Sequence, residues 1–333
     1  MVTQALIFDT SIEFESKAVW IYEFQRKKNK VYSAFCEALA ITNVTSMKDI
    51  PLLPIQAFKE TEVISPPANF WLKTQSSKLF FQSSGTSGME RSRHYILVPK
   101  LYRFSLKMGM EHFYHLDEYV IWAYTPGYAE NPHSSLIWML NTLIEDEPSG
   151  LSRFLELNHP IFPEEVEKIT QSGKKLMLFG AAFGLLDVIE KAETKLPPDT
   201  IIIETGGMKT QRREISRADL HQSLATGFGL PESHIHSEYG MTELLSQAYS
   251  LGDEWFQCVP WMQVSIRNPQ NPMEEVPDGT EGLIGVIDLA NMYSCSFILT
   301  GDKGIRNGSG HFQVLGRWQP NNLRGCNFLI DQD

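Results

Sequence analysis

The chain has little of what a secreted or metal-built protein needs. Its 333 residues include four cysteines, Cys36, Cys258, Cys295 and Cys326, scattered with no C-x-x-C pair and no metal-ligand spacing. That excludes a disulfide scaffold, and the four read as reduced thiols of a cytoplasmic protein. The start, MVTQALIFDTSIEFES, lacks the basic end and apolar run of a secretory signal and carries acids instead. Nothing approaches a membrane span, the longest apolar runs being of the size of YVIWAY and LIGVI. Positive charge is also short: 29 basic against 40 acidic side chains leave a net charge of −11. Nucleic acid and anionic lipid are therefore not expected as partners of the whole surface. There is no internal repeat, no low-complexity tract and no G-K-[ST] phosphate loop.

What is present is ordinary globular material, long enough for one large domain or two smaller ones. Residues 1–77 read as a mostly helical segment, with helical spacing through AVWIYEFQRKKNKVYSAFCEALA, RKKNK as a solvated helix end, and a proline-punctuated connector at DIPLLPIQAFKE. From residue 78 to 254 a strand, loop and helix pattern repeats: KLFFQ, EYVIWAYTPG before SSLIWMLNTLIED, KKLMLFG before LLDVIEKAE, and DTIIIETGG before REISRADLHQSLATGFG. Alternation of this kind predicts an α/β sheet flanked by helices. After residue 255 the pattern turns to short strands, MQVSIRN, EGLIGVIDLA, SFILTGD and HFQVLGR, which predict a β-rich lobe.

Four short motifs carry chemistry. SSGTSG, Ser83-Ser84-Gly85-Thr86-Ser87-Gly88, follows an apolar strand, and its small residues and hydroxyls suit close approach to phosphate oxygens, with Arg91 and Arg93 behind it. HSEYGMTE, His236 to Glu243, is expected at a strand-to-helix junction: Tyr239 offers a flat face for a base, and Thr242 and Glu243 suit a phosphate and its metal ion. LTGD ends in Asp302, a carboxylate able to accept both hydroxyls of a ribose, and LGR ends in Arg317. Each has a plainer reading: a Ser/Gly turn, a helix cap with a buried tyrosine, a turn aspartate, and a surface arginine at a strand end.

Their order is more specific than any one of them. SSGTSG, ETGGMK (204–209), EYGMTE, LTGD and LGR follow one another as do the core motifs of adenylate-forming enzymes, which the chain resembles from about residue 78 to 326. The resemblance implies that family's large-domain fold, α/β sheets with flanking helices and a β-rich distal lobe, with ATP and Mg²⁺ used to activate a carboxylate. Ser83 to Gly88 would then hold the β- and γ-phosphates, Gly206 and Gly207 line the adenine, and Tyr239 stack on the base beside Gly240 and Met241. Thr242 would bind the α-phosphate, Glu243 help to hold Mg²⁺, and Asp302 with Arg317 take the ribose. His236 is a candidate for the carboxylate site or a base. One departure stands in the phosphate loop, where the family's Pro-Lys is replaced by Glu90-Arg91; Arg91 supplies the charge without the lysine's shape.

In most members the GR motif leads into a second, small domain, but only sixteen residues follow Arg317 here. The expectation is a large domain without that second domain. The tail LGRWQPNNLRGCNFLI is similar to that of the acyl-protein synthetases of bacterial bioluminescence, which pass the acyl group to a cysteine of their own. The matching position is Cys326. Gly325 leaves room around it and Arg324 favours the thiolate. For Cys36, Cys258 and Cys295 the expected role is that of a small apolar residue. The resemblance implies a fatty acid substrate, a thioester on Cys326, and acyl reductase or thioesterase partners. Two alternatives stay open: an acyl- or aryl-CoA ligase or carrier-protein loader of the phenylacetate-CoA ligase type, for which Cys326 is dispensable, and a non-catalytic nucleotide-binding subunit.

Overall fold

The computed structural model describes residues 4–67, 79–83, 91–126, 131–157, 160–191, 195–206 and 215–318. Its strands are β1 (Leu53–Pro54), β2 (Leu79–Gln82), β3 (Arg93–Ile96), β4 (Tyr119–Tyr124), β5 (Arg153–Phe154), β6 (Lys175–Ala181) and β7 (Ile201–Thr205). They continue with β8 (Ile235–Tyr239), β9 (Ala248–Ser250), β10 (Gln257–Cys258), β11 (Met262–Arg267), β12 (Gly282–Asp288), β13 (Phe297–Arg306) and β14 (Phe312–Arg317). Two sheets and one hairpin contain them.

The larger sheet has the order β10-β9-β8-β7-β6-β4-β5. From β5 to β8 its neighbours are parallel, while β9 and β10 add antiparallel. Parallel neighbours need crossovers, and the helices Ser135–Asp146, Pro163–Gln171, Ala182–Lys191 and Arg217–Phe228 lie between consecutive parallel strands. Both faces of this sheet are covered. Val120, Trp122, Leu176, Leu178 and Ile202 pack into one apolar cluster, while Ile121, Ala123, Met177, Phe179 and Ile203 alternate into the other. The strands therefore read as continuous apolar runs. The C-terminal ends of β6, β7 and β8 form one edge, the usual ligand edge of an open α/β sheet, and Gly206 and Gly240 directly follow two of those ends.

The second sheet has the order β1-β13-β12-β11, with β14 on β13. β1 comes from the N-terminal segment and pairs parallel to β13, Leu53 opposite Ile298. The same segment packs the helices Phe14–Lys28 and Lys30–Ala38 on this sheet, with Tyr32 stacked on Phe297 at 5.7 Å between centroids. The separate hairpin is β2 with β3, Phe81 opposite His94.

Two features differ from the sequence reading. EYGMTE does not enter a helix: β8 ends at Tyr239, Leu244 N–H donates to the Met241 carbonyl at 3.0 Å in a turn, and the chain returns as the antiparallel β9. The helix Pro99–Phe113 was not expected, yet its signal is present, with Pro99 in the first turn and Leu101, Tyr102, Ser105, Leu106, Gly109 and Met110 on one buried face.

Gln25 ties the N-terminal helices to the second sheet. Its buried amide donates to the Asn291 and Met292 carbonyls at 3.1 and 3.0 Å and accepts from Ser296 N–H at 3.0 Å. Gln25→Leu, similar in size, strands three buried backbone groups and is expected to destabilise by about 2–4 kcal/mol. Denaturant unfolding measures it; an unchanged midpoint would show that the link contributes nothing.

Candidate functional site

Three of the sequence motifs meet where the edge of the parallel sheet faces the middle of β13. Tyr239, the last residue of β8, donates its hydroxyl to Asp302 Oδ2 at 3.0 Å, and Arg317 Nε lies 3.1 Å from Asp302 Oδ1. Asp302 and Arg317 are register partners on β13 and β14, so an antiparallel ladder places the arginine beside the carboxylate. Asp302 is 7% exposed and its N–H donates to Thr300 Oγ1 at 3.1 Å. Burial pushes its pKa up, opposed by Arg317 and by the Tyr239 hydrogen bond. The Tyr239 ring rests on Phe256 and Phe312, with centroids at 5.8 and 5.3 Å.

Thr242 and Glu243 occupy the turn after β8, beside Gly240 and Met241. Glu243 is buried, and desolvation raises its pKa while Ser92, then Arg317 and Lys59, favour the charged form. Ser92 Oγ, also buried, makes no hydrogen bond of full geometry with any described residue. A desolvated carboxylate next to an orphaned hydroxyl fits a small hard cation. Among the described residues no three His, Cys, Asp or Glu side chains gather into a cage, so Mg²⁺ here would need the oxygens of its substrate as well.

The segment expected to hold phosphate is paired at its described flanks. Ser83 N–H donates to the Ser92 carbonyl at 3.2 Å, and Ser92 N–H donates to Ser83 Oγ at 3.1 Å, which extends the β2–β3 pairing. Arg91 is exposed beside it. Ser84, Gly85, Thr86, Ser87 and Gly88 lie outside the described residues, as do Gly207 and Cys326. Gly206 has φ of 99°, a conformation that favours glycine at the end of β7.

His236 does not join this group. It stands three residues before Tyr239, on the opposite face of β8, with Nδ1 3.1 Å from the Tyr114 hydroxyl and Nε2 3.2 Å from the Ser233 carbonyl. Burial pushes its pKa down to about 4, which makes it a weak base. The histidine that touches the site is His94, on β3. Its Nδ1 lies 2.8 Å from the Thr242 carbonyl and its Nε2 lies 2.9 Å from Asn291 Oδ1. Burial lowers its pKa to about 4 as well, so the ring is neutral at pH 7 and its one N–H donates to one of these two acceptors. Asn291 Nδ2 donates to the Glu243 carbonyl at 2.7 Å. Neither role was readable from the sequence, which separates Asn291 from Thr242 and Glu243 by more than forty residues and His94 from them by about one hundred and fifty.

Two further carboxyls border the edge. Glu204, on β7, accepts from Ser237 Oγ at 2.5 Å and lies 3.8 Å from Arg217 Nε and 3.5 Å from His221 Nε2. Glu238, on β8, accepts from Thr205 Oγ1 and curls over Gly240, where a Cβ would come within 2.2 Å of Oε1. Any larger residue at Gly240 would displace that carboxyl. Burial raises the Glu238 pKa to about 7, offset in part by the Thr205 hydrogen bond and reinforced by Glu204.

Comparison with known proteins gives the following. The family described as acyl-protein synthetase, LuxE, matches residues 136–333. No curated protein sequence matches the chain. Among solved structures, 2-hydroxyisobutyryl-CoA ligase in its postadenylation state with 2-HIB-AMP has a TM-score of 0.63 at 14% identity, over 91% of this chain and 66% of that one. Its open conformation with 2-HIB-AMP and CoA has a TM-score of 0.61 at 14% identity, over 91% and 68%. O-succinylbenzoate coenzyme A synthetase from Bacillus subtilis, in complex with ATP and magnesium ion, has a TM-score of 0.50 at 16% identity, over 72% and 49%. The chain spans between about half and two thirds of the length of these enzymes. The fold is the large-domain fold of adenylate-forming enzymes.

The raised Glu238 pKa has a thermodynamic consequence. A buried acid with its pKa near 7 instead of 4.5 binds more protons folded than unfolded, so its contribution to stability falls as pH rises through that interval. Glu238→Gln removes this term. Its stability relative to wild type is expected to improve by on the order of 2–3 kcal/mol between pH 5 and pH 8. Denaturant midpoints at the two pH values measure the change, and a constant difference would show that Glu238 is ionised throughout.

Proposed function

We propose that this chain, which belongs to the LuxE acyl-protein synthetase family, activates a fatty acid with ATP and carries the product on its own Cys326. The observation that supports the reading best is the meeting of Tyr239, Asp302, Arg317 and Glu243, drawn from three separate stretches of sequence into one edge. In this reading Asp302 and Arg317 hold the ribose, and Gly206 and Gly207 line the base with Tyr239. Ser83 to Gly88 with Arg91 hold the β- and γ-phosphates, and Thr242 holds the α-phosphate.

The acid's carboxylate attacks the α-phosphorus of ATP, forming an acyl–O–P bond as the bond to the bridging β-oxygen breaks and pyrophosphate departs. Glu243, with Ser92 beside it, would hold Mg²⁺, which supplies charge neutralisation of the phosphate oxygens when bound. A protein carboxylate with substrate oxygens suits Mg²⁺, which keeps few protein ligands. The dry surroundings of Glu243 and Asp302 strengthen each of these charge contacts. In the second step the Cys326 thiolate attacks the acyl carbonyl, a thioester forms, and AMP leaves with the mixed-anhydride oxygen. A thioester on the protein suits hand-over to a reductase or release by a thioesterase. Among the described residues no helix is long and apolar enough to cross a membrane.

Glu243→Gln keeps the side chain's size but removes its charge. Fatty-acid-dependent ATP–pyrophosphate exchange is expected to fall by roughly 100-fold or more, the scale of losing one electrostatic partner of a developing charge, while the circular dichroism spectrum stays that of wild type. Exchange at the wild-type rate would remove Glu243 from the site.

Adenylation and transfer should separate at Cys326. Cys326→Ser should exchange pyrophosphate within about twofold of wild type yet retain no hydroxylamine-labile acyl group, since a serine hydroxyl yields little anion near neutral pH. Intact-mass spectrometry after incubation with ATP, Mg²⁺ and a panel of fatty acids reads the result. An acyl mass gained by the variant at the normal rate on another cysteine would exclude Cys326 as acceptor. Transfer to free CoA by both proteins would point to the CoA-ligase alternative.

A further inference from the structure

We infer that His94 and Asn291 are positioning residues that hold the Thr242–Glu243 turn in register with the base of the phosphate segment, an inference that rests on the nucleotide reading above. Thr242 and Glu243 sit in a turn with no helix or strand ladder to take up their carbonyls. A buried carbonyl needs a donor, and here the donors are side chains. The His94 ring meets the Thr242 carbonyl at 2.8 Å, and the Asn291 amide donates to the Glu243 carbonyl at 2.7 Å. With its one proton on Nδ1 the ring donates to the Thr242 carbonyl, and its Nε2 edge lies 2.9 Å from Asn291 Oδ1, so consecutive carbonyls of the turn are held by two side chains in contact.

Each member of the pair is fixed from behind. The Phe58 ring packs edge-on against His94, with centroids at 5.7 Å, and the Asn291 carbonyl accepts from Gln25 Nε2 at 3.1 Å. Both side chains are fully buried. His94 also lies two residues after Ser92, which pairs with Ser83 and flanks the Glu243 carboxyl. The short strand β3 therefore touches both ends of the site: the base of the segment read as the phosphate loop and the carbonyl side of the metal-binding turn. With both carbonyls fixed, the backbone dihedrals of the turn have little freedom, and the Thr242 hydroxyl and Glu243 carboxyl inherit that fixity. Catalytic groups displaced by about an ångström lose large factors in rate. His94 and Asn291 themselves need touch neither ATP nor the acid.

A purely structural role would lower stability and leave the chemistry per folded molecule alone, so the test must read alignment. His94→Leu removes both ring contacts. His94→Asn restores a donor near the Nδ1 position, facing Thr242, and His94→Gln restores one near Nε2, facing Asn291. For each full-length variant, and for Asn291→Ala, three quantities are measured: the unfolding midpoint, the maximal rate of fatty-acid-dependent pyrophosphate exchange, and ATP affinity by calorimetry with and without Mg²⁺. The expected result for His94→Leu is a 10–100-fold loss in maximal rate, the range seen when a residue orienting a metal ligand is removed. ATP affinity without Mg²⁺ should stay within about twofold, while the gain on adding Mg²⁺ is lost. His94→Asn should recover most of both, and His94→Leu with Asn291→Ala should lose less than the product of the single losses, because the pair acts as a unit.

A folded His94→Leu protein with wild-type rate and the wild-type gain from Mg²⁺ would overturn the inference, as would a His94→Asn protein no better than His94→Leu at equal stability. If His94→Leu does not fold, Asn291→Ala carries the same comparison, since it leaves the ring in place and removes only the Glu243 contact and its support. A wild-type protein that binds ATP with Mg²⁺ but exchanges pyrophosphate with no acid would count against the ligase reading. The calorimetric comparison would then still decide the role of His94.

Discussion

From Gly240 to Gln247 the chain has no helix or ladder of its own, and this stretch holds Thr242 and Glu243. Its buried polar groups are satisfied from outside. Asp288, at the end of β12, accepts from Leu245 N–H at 2.7 Å and from Ser246 Oγ at 2.6 Å, and His94 and Asn291 take the carbonyls before them. Trp261 adds an indole N–H to Ser246 Oγ at 3.0 Å. Every one of these partners belongs to the hairpin or to the second-sheet region. The turn is thus one of the places where the two sheets are joined by hydrogen bonds as well as by apolar contact. Losing it would leave both the site and the interface with stranded polar groups, each costly in a dry interior.

That dryness also sets the charge of the edge. Asp288, Glu238, Glu243 and Asp302 are all buried carboxyls with raised pKa, and burial is the leading cause in each. For Asp288 the value reaches about 6 and for Glu238 about 7. The buried histidines shift the other way, with His94 and His236 both near 4. The two sets have opposite linkage: the acids lose stability as pH rises through their shifted range, and the histidines gain it between about 4 and 6.5. Their contributions to stability oppose each other where these ranges overlap. Among the described residues, four desolvated acids here favour an anion that brings positive charge with it. A phosphate ligand carrying a divalent cation meets that condition.

Much of this architecture could be read in the chain because its signals are local. The apolar runs of β4, β6 and β7 and the amphipathic helix between Ser135 and Asp146 gave the parallel core, and five motifs in a fixed order pointed to its fold. Asp302 and Arg317 were readable as residues, though only the β13–β14 register shows why they meet. What stayed hidden depends on contacts far apart in sequence. EYGMTE has acids and a threonine suited to a helix start, but the partners that hold it as a turn instead, His94, Asp288 and Asn291, have no mark of their own in the sequence. A lone His in RSRHYILVP or an Asn in DLANMY reads as surface or core until the fold closes. His236, adjacent to a motif, drew the expectation of a site role, while the structure sets it against Tyr114 and Ser233 and sets His94 against Thr242. Residues three apart on a strand face opposite sides, so nearness along the chain does not bring His236 beside the Tyr239 ring.

The state of Asp302 bears directly on whether a ribose can share it. One oxygen takes Tyr239 and the other takes Arg317, yet an ionised carboxylate offers about four lone-pair sites. Two remain for a pair of vicinal hydroxyls, and the existing contacts fix the plane in which they point. Arg317 is 57% exposed, so its charge is partly screened, which is why burial outweighs it at Asp302. Hydroxyl donors arriving from a ligand would favour the ionised form without adding charge, and would exclude the water that screens the arginine. Each contact then strengthens the other. Arg317 is also the last residue of β14, tied to Asp302 through the register and through Trp318 N–H to the Gly301 carbonyl at 2.9 Å. Whatever follows starts beside Asp302. Cys326 is nine residues beyond Arg317, a span of at most roughly 30 Å when extended, so chain length alone permits a thiol in this tail to meet an acyl group activated at the same edge.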